Sequence, residues 1–145
     1  MTHGLFIFNA RLLDEAIDGP GAILVIEGKI RTVFQGYFTN EDTAKALAKS
    51  ILNEDGCEDC SLAYYDAHGL TVTPSFIDGH VHLESAMMLP KEFAKTVLPA
   101  GTTTAIIDPH EISNVFGLHG ISFMHEATKN LPLDVYTMLP SCVPA

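Results

Sequence analysis

Two histidines separated by one residue lie in the segment FIDGHVHLES, which covers residues 76–85. His80 and His82 have an acidic residue on each side, Asp78 and Glu84. Because side chains alternate along a β-strand, residues two apart point to the same face. The spacing therefore predicts that these four polar side chains share one face. Two imidazoles there, about 6–7 Å apart along the strand, can bring their nitrogens onto a single divalent ion.

A second group of the same chemistry follows the segment TTTAIID, at residues 102–108. Asp108, His110 and Glu111 stand where this predicted strand ends, and Pro109 biases Asp108 towards an extended conformation. The carboxyl ends of parallel strands form one side of an α/β fold, so the two groups are expected to converge. Imidazole and carboxylate ligands suit Zn(II), Fe(II) or Mn(II) better than Ca(II) or Cu(I). The alternative is that Asp108 caps the following turn and His110 is a surface histidine.

Other polar residues near these segments are not predicted to be metal ligands. Asp78 is a candidate outer partner that orients an imidazole by accepting a hydrogen bond from it. His119 and His125 lie six residues apart on a predicted helix, and we expect them to be solvated. Ser141 and Cys142 fall near the end of a third strand, where a substrate could touch them. No base adjoins either residue in the sequence, so no nucleophile is predicted.

The chain from residue 70 onward predicts strands that alternate with helices. The predicted elements are a strand over 70–83, a helix over 89–101, a strand over 102–108, a helix over 114–131 and a strand from 134. This order indicates βαβ units and a parallel sheet, and therefore an α/β fold. The first strand is almost continuously apolar, which is typical of a strand buried on both faces. Three strands with open edges do not complete a domain, so we expect the chain to be a fragment.

Residues 1–69 show a different pattern, with short β-type segments at 5–13, 22–35 and 62–69. The pair Glu27–Gly28 predicts a hairpin turn, and Asn40 is a candidate N-cap for a helix over 40–52. Residues 1–69 are therefore expected to form a small β-rich module with a helical insertion near 40–61. Cys57 and Cys60 in that insertion are interpreted as loop cysteines, because the second half of a zinc site is missing.

The composition excludes several classes of function. The chain has 145 residues, and its 18 acidic and 8 basic residues give a net charge of −10. A net-negative surface repels both a nucleic-acid backbone and an anionic membrane, so neither is expected as a partner. The sequence has no apolar run of about 18 residues and no recognisable signal peptide. A cytoplasmic location is expected.

Beyond these patterns, TPSFIDGHVHLES is similar to the first barrel strand of the amidohydrolase superfamily. Four further motifs resemble the adenine deaminases of that superfamily: H-V-H-x-E-S, G-T-T-T, D-P-H-E-I-x-N-V and L-P-S-C-V-P-A. The resemblance is strong over residues 70–145 and looser over 1–69. Ser75 departs from the family's usual glycine before Phe76.

The resemblance implies a fold, a reaction and a cofactor. The fold would be the N-terminal part of a (β/α)₈ barrel, with about three strands present, preceded by a β-sandwich module. The reaction would be hydrolysis of adenine, a small purine base, to hypoxanthine and ammonia by a metal-bound hydroxide. Mn(II) or Fe(II) is the favoured divalent metal, with Zn(II) as an alternative, and a homo-oligomer is possible.

The resemblance also implies roles for particular residues. His80 and His82 match the family's first two metal ligands. Asp108, His110 and Glu111 match a motif beside the metal site, and Glu84 and Ser85 match positions at the border of the substrate pocket. The remaining ligands and the catalytic aspartate are expected beyond residue 145, so this chain alone is expected to be inactive.

Three other functions are compatible with parts of the sequence. One is another cyclic amide or amidine hydrolase of the same superfamily, although the D-P-H-E and P-S-C-V-P motifs argue against it. A second is a truncated, non-catalytic metal-binding fragment. A third is a deaminase of the cytidine type, which needs H-x-E followed by P-C-x-x-C. His82 and Glu84 supply the first motif, but the only C-x-x-C lies upstream at 57–60, so the third reading fails on order.

Overall fold

The chain divides into two compact units, Met1–Pro74 and Ser75–Ala145. The computed structural model describes residues 3–54 and 61–143. Cys57 and Cys60, predicted to lie in a surface loop, fall outside the described residues. None of the helices within residues 3–54 and 61–143 combines the length and the apolar character needed to cross a membrane.

The first unit is a mixed five-stranded sheet with one helix. Its elements are β1 (His3–Leu13), β2 (Asp18–Ile26), β3 (Lys29–Gln35), α1 (Glu41–Glu54), β4 (Ser61–Asp66) and β5 (Thr71–Val72). The sheet order is β3-β2-β1-β4, and β5 also pairs with β1. β1, β2 and β3 pair in antiparallel fashion, whereas β4 and β5 run parallel to β1.

Two local predictions for this unit are confirmed. Glu27 and Gly28 join β2 to β3 with φ angles of 48° and 73°, as a type I′ hairpin turn requires at both central positions. Asn40 caps α1, because its Oδ1 accepts hydrogen bonds from the backbone N–H groups of Asp42 at 2.8 Å and Thr43 at 3.3 Å. Ala44 of α1 is buried in one hydrophobic cluster with residues of β1 and β2.

The second unit alternates strands and helices around a three-stranded sheet. Its elements are β6 (Phe76–Val81), α2 (Pro90–Val97), β7 (Thr102–Ile107), α3 (His110–Phe116), α4 (Leu118–Thr128) and β8 (Asp134–Thr137). Short 3₁₀ turns follow β6 at Glu84–Ala86 and α2 at Leu98–Ala100. The order is β6-β7-β8, and both pairs are parallel. The predicted α/β class is confirmed.

The central strand β7 is the most buried part of this unit. Ala105 and Ile107 are fully buried and share a hydrophobic cluster with Phe93 of α2 and Met124 of α4. The β-branched segment TTTAII suits such a position, because branched side chains pack well on a pleated surface. Because β7 is buried, the position of its end is fixed. Asp108 and His110 follow that end.

The predicted strand over 70–83 differs from the structure in two ways. It is divided into β5, which belongs to the first unit, and β6, which belongs to the second. Its predicted burial on both faces was wrong, since Phe76 and Ile77 are 65% and 66% exposed. The described residues leave both side chains uncovered, because an apolar sequence does not by itself supply covering elements.

The predicted helix over 114–131 is also divided in the structure. Helix α3 begins earlier, at His110, and Gly117 separates it from α4. Gly117 has a φ of 60° and a ψ of −146°, a combination that favours glycine. The early start brings His110 and Glu111 into the first turn of α3 rather than into a loop.

Close packing of α4 on α3 gives a first testable prediction. A Cβ added at Gly120 would lie 2.7 Å from the carbonyl oxygen of Ile112, so the helices would have to separate. We expect Gly120→Ala to lower the free energy of unfolding by about 1–3 kcal/mol, as overpacking does. Alanine normally stabilises a helix by about 0.5–1 kcal/mol relative to glycine. A decrease in the free energy of unfolding would therefore have the opposite sign to the usual effect of this substitution. Denaturant unfolding measures the change.

Gly79→Ala is the matched control, because a Cβ there meets nothing within 4 Å. Equal stabilities for the two variants would contradict the close contact between α3 and α4.

Candidate metal centre

The candidate site begins where two parallel strands end side by side. Val81, the last residue of β6, is paired with Ile107, the last residue of β7. The backbone N–H of Asp108 donates to the carbonyl oxygen of Val81 at 3.1 Å, which extends the ladder by one bond. His82 and Asp108 therefore leave the sheet together.

The two histidines of the H-x-H motif are brought together by an irregular strand end. Gly79 and His80 stand opposite a single residue of β7, because Asp78 pairs with Ala105 and Val81 with Ile107. Such a bulge redirects side chains. The predicted alternation over four positions therefore does not persist, since His82 lies beyond β6 and Glu84 begins the 3₁₀ turn.

The geometry of this pair fits two ligands of one ion. The Nε2 atoms of His80 and His82 lie 3.1 Å apart, and the ring planes meet at 78°. Nitrogen ligands bind zinc at about 2.0–2.1 Å, so two adjacent ligands at 90–109° lie about 2.9–3.4 Å apart. The observed separation falls within that interval.

The position of one proton in the site follows from hydrogen bonding. Nδ1 of His82 lies 3.0 Å from the backbone oxygen of Asp108. A carbonyl oxygen can only accept, so Nδ1 carries the proton and Nε2 keeps its lone pair for an ion. Metal-binding histidines commonly donate their other N–H to a carbonyl or carboxylate in this way.

A third imidazole adjoins the pair from the first turn of α3, which follows β7. The ring centroid of His110 lies 4.5 Å from that of His82, with the planes at 80°. Its Nδ1 lies 3.2 Å from Oδ2 of Asp108, an arrangement in which an N–H donates to the carboxylate. Asp108 thus contacts both neighbouring histidines, His82 through its carbonyl oxygen and His110 through its carboxylate.

Overlapping groups of three potential metal ligands occur in this region, with ligand atoms within 4.8 Å of one another. They are His80, His82 and Asp108; His82, His110 and Glu111; and Asp108, His110 and Cys142. From the sequence, Cys142 is predicted only as a residue that a substrate could touch. Cys142 follows β8 and Asp108 follows β7. Because these two strands are neighbours in the parallel sheet, their order is the signal that could have linked Cys142 to Asp108.

The remaining predicted site residues contact protein groups. Oδ1 of Asp78 accepts the backbone N–H of His80 at 3.2 Å, so this contact supports the backbone rather than an imidazole. Ser85 Oγ donates to Glu111 Oε1 at 2.5 Å, and Glu84 Oε1 accepts the N–H of Ile112 at 3.2 Å. Orientation of an imidazole by Asp78 and substrate contacts by Glu84 and Ser85 stay predictions.

One unsatisfied atom supports the presence of a cation at this site. Oδ1 of Asp108 is buried and lacks a hydrogen-bond partner among the described residues, and the side chain is only 15% exposed. Leaving a buried carboxylate oxygen unpaired is unfavourable, whereas a divalent ion would satisfy it. The imidazole nitrogens and the carboxylate oxygen together suit Zn(II), Fe(II) or Mn(II).

The second part of the chain matches a known protein family. Residues 71–145, more than half of the chain, match the amidohydrolase family. The chain therefore belongs to the amidohydrolase family.

Curated relatives extend the comparison into the first unit. The chain is 48% identical over 126 residues to a protein of Carboxydothermus hydrogenoformans named adenine deaminase 2, a match that covers 87% of this chain and 22% of the relative. For proteins named adenine deaminase, identity is 64% over 123 residues in Bacillus velezensis and 45% over 142 residues in Listeria monocytogenes. These matches cover 84% and 94% of this chain, but 21% and 24% of the relatives. The resemblance seen in the motifs is confirmed, and the chain spans under a quarter of these relatives' length.

The imidazole pair generates a prediction about metal binding. We expect His82→Ala to weaken Co(II) binding more than about 100-fold, because even loss of an outer partner of a ligand costs about 10- to 100-fold. Isothermal titration calorimetry of the metal-free protein measures the affinity. His125→Ala is the control, since His125 is an exposed histidine of α4. Equal affinities of the two variants would exclude His82 as a ligand.

Proposed function

We propose that this chain forms part of a metal-dependent adenine aminohydrolase, which hydrolyses adenine to hypoxanthine and ammonia. The observation that carries the proposal is the 3.1 Å approach of the His80 and His82 Nε2 atoms at the end of a parallel strand. Ligand sites of (β/α)₈ barrels lie at this end of the strands. The names of the relatives from three bacterial species support adenine as the substrate.

In the proposed mechanism, His80 and His82 would hold the metal through their Nε2 atoms. Nδ1 of His82 keeps its proton and donates a hydrogen bond to the carbonyl oxygen of Asp108, so the imidazole would bind in its neutral form. Asp108 and His110 are hydrogen-bonded to each other, and the His110 ring lies against the His82 ring, so both residues border the site. A divalent ion bound here supplies polarisation and acidification of the water that attacks the substrate.

The identity of the metal is part of the proposal. We favour Mn(II) or Fe(II) because of the resemblance to adenine deaminases, and Zn(II) is the alternative because nitrogen and carboxylate ligands suit all three ions. Glu111, whose carboxylate lies within 4.8 Å of the His82 and His110 nitrogens, is the further candidate ligand or outer partner.

The proposed architecture is a (β/α)₈ barrel that begins near residue 70, preceded by a β-sandwich module over residues 1–69. The parallel β6-β7-β8 sheet and the relatives' greater length support this architecture. The remaining ligands and the catalytic aspartate are proposed to lie beyond residue 145. A cytoplasmic location and assembly into a homo-oligomer are included in the proposal.

The first test concerns the complete protein. His80→Ala and His82→Ala are each expected to abolish adenine deamination, because each removes a nitrogen ligand. Ammonia release from adenine gives the rate, and elemental analysis gives the metal content of each variant. His125→Ala should retain the wild-type rate. Near-normal rates at full metal content in the His80 or His82 variant would contradict the ligand assignment.

The second test separates the deaminase from a non-catalytic metal-binding chain. The 145-residue chain alone is expected to release no ammonia from adenine with Mn(II) or Fe(II), since the proposed catalytic aspartate is missing from it. The native protein in its source cells should have an intact mass several times 15.7 kDa. An intact mass near 15.7 kDa would favour the non-catalytic alternative. Deamination of adenine by the isolated chain would refute the proposal that the catalytic aspartate and the remaining ligands lie beyond residue 145.

A further inference from the structure

Two side-chain hydrogen bonds join the loop after β6 to the first turn of α3. Ser85 Oγ donates to Glu111 Oε1 at 2.5 Å, and Glu84 Oε1 accepts the backbone N–H of Ile112 at 3.2 Å. Glu84 and Ser85 are consecutive, and so are Glu111 and Ile112. We call this paired contact of four residues the loop clamp.

We propose that Glu84 and Ser85 are positioning residues, which act through the loop clamp to hold His110 against His82. The proposal rests on the proposed metal centre and names residues that set its geometry. His110 immediately precedes the clamped pair in α3, and its ring lies 4.5 Å from that of His82. His82 in turn lies two residues before Glu84. The clamp therefore ties the segment after His82 to the helical turn that begins at His110.

The hydroxyl–carboxylate half of the clamp is the shorter contact. Its separation of 2.5 Å is within the usual range for an O–H group that donates to a carboxylate. The Ser85 hydroxyl proton is thereby directed at Glu111 Oε1. This partnership favours positioning over a direct substrate contact as the role of Ser85.

The carboxylate of Glu84 indicates that the clamp is not maintained for stability alone. Its Oε1 accepts one N–H, whereas its Oε2 is buried without a hydrogen-bond partner in the part of the chain that the structure describes. A buried carboxylate oxygen left unpaired costs free energy. Such local costs are typically retained at functional sites.

The first experiment measures the clamp without any metal. Hydrogen exchange at the Ile112 amide is followed by mass spectrometry in the metal-free, full-length protein. Glu84→Ala should accelerate exchange about 10- to 100-fold, as loss of a hydrogen bond to a charged group predicts. Glu84→Gln keeps an acceptor oxygen and should restore most of the protection. The Gly117 amide, bonded to the Ser113 carbonyl oxygen at 2.7 Å, should be unchanged.

The second experiment asks whether the clamp affects the site. Ser85→Ala is expected to weaken Co(II) affinity about 10- to 100-fold, the usual effect of losing an outer partner, and Ser85→Thr should restore it. Ser122→Ala is the matched control, because Ser122 is an exposed serine of α4. In steady-state assays with adenine, Ser85→Ala should lower kcat more than it changes KM.

Several results would overturn the proposal. They are unchanged exchange at Ile112 in Glu84→Ala, no restoration by Glu84→Gln, unchanged Co(II) affinity in Ser85→Ala, and no rescue by Ser85→Thr. A change confined to KM would instead assign Ser85 to substrate binding. If the wild-type protein binds Co(II) and the variants respond as expected, yet adenine is not deaminated, the clamp stands and the proposed function fails.

Discussion

The hydrogen bond from His82 Nδ1 to the carbonyl oxygen of Asp108 is the interaction on which the candidate site depends. It sets the tautomer of one imidazole and joins the end of β6 to the end of β7. Its geometry requires Val81 and Ile107 to stand opposite each other, which is the register of the parallel ladder. A shift of one residue would turn the following side chains to the other face. Sheet register and proton position are therefore coupled.

Buried residues next to the site hold this arrangement in place. Leu83 directly follows His82, and Pro109 directly follows Asp108; both are fully buried. Leu83 shares a hydrophobic cluster with Ala105 and Ile107 of the central strand. His82 and Asp108 are thus each followed by an anchor in the interior. This alternation lets side chains with ionisable groups occupy fixed positions at the rim of an apolar core.

Much of the fold and of the site could be predicted from sequence because local rules determine it. The Glu27–Gly28 turn and the Asn40 cap follow from backbone conformation and from hydrogen bonding within a few residues. The convergence of the two histidine-containing segments follows from the parallel sheet. The ends of elements were harder to predict, because the bulge near Gly79 depends on pairing with β7.

The loop clamp could not have been predicted from one sequence. Ser85 and Glu111 are 26 residues apart, and neither carries a local signal that identifies its partner. The exposure of Phe76 was missed for a related reason, since burial depends on which elements cover a strand. Non-local contacts of this kind are fixed only when the complete arrangement of strands is known.

The edge of the second unit has a consequence for the isolated 145-residue chain in concentrated solution. Within the described residues, β6 pairs with a strand on one side only, and Phe76 and Ile77 present large apolar surfaces there. An edge with unpaired backbone groups and apolar side chains is a template for strands from other molecules. For the 145-residue chain by itself, self-association through intermolecular sheets would therefore compete with the fold, and a low protein concentration would favour the fold.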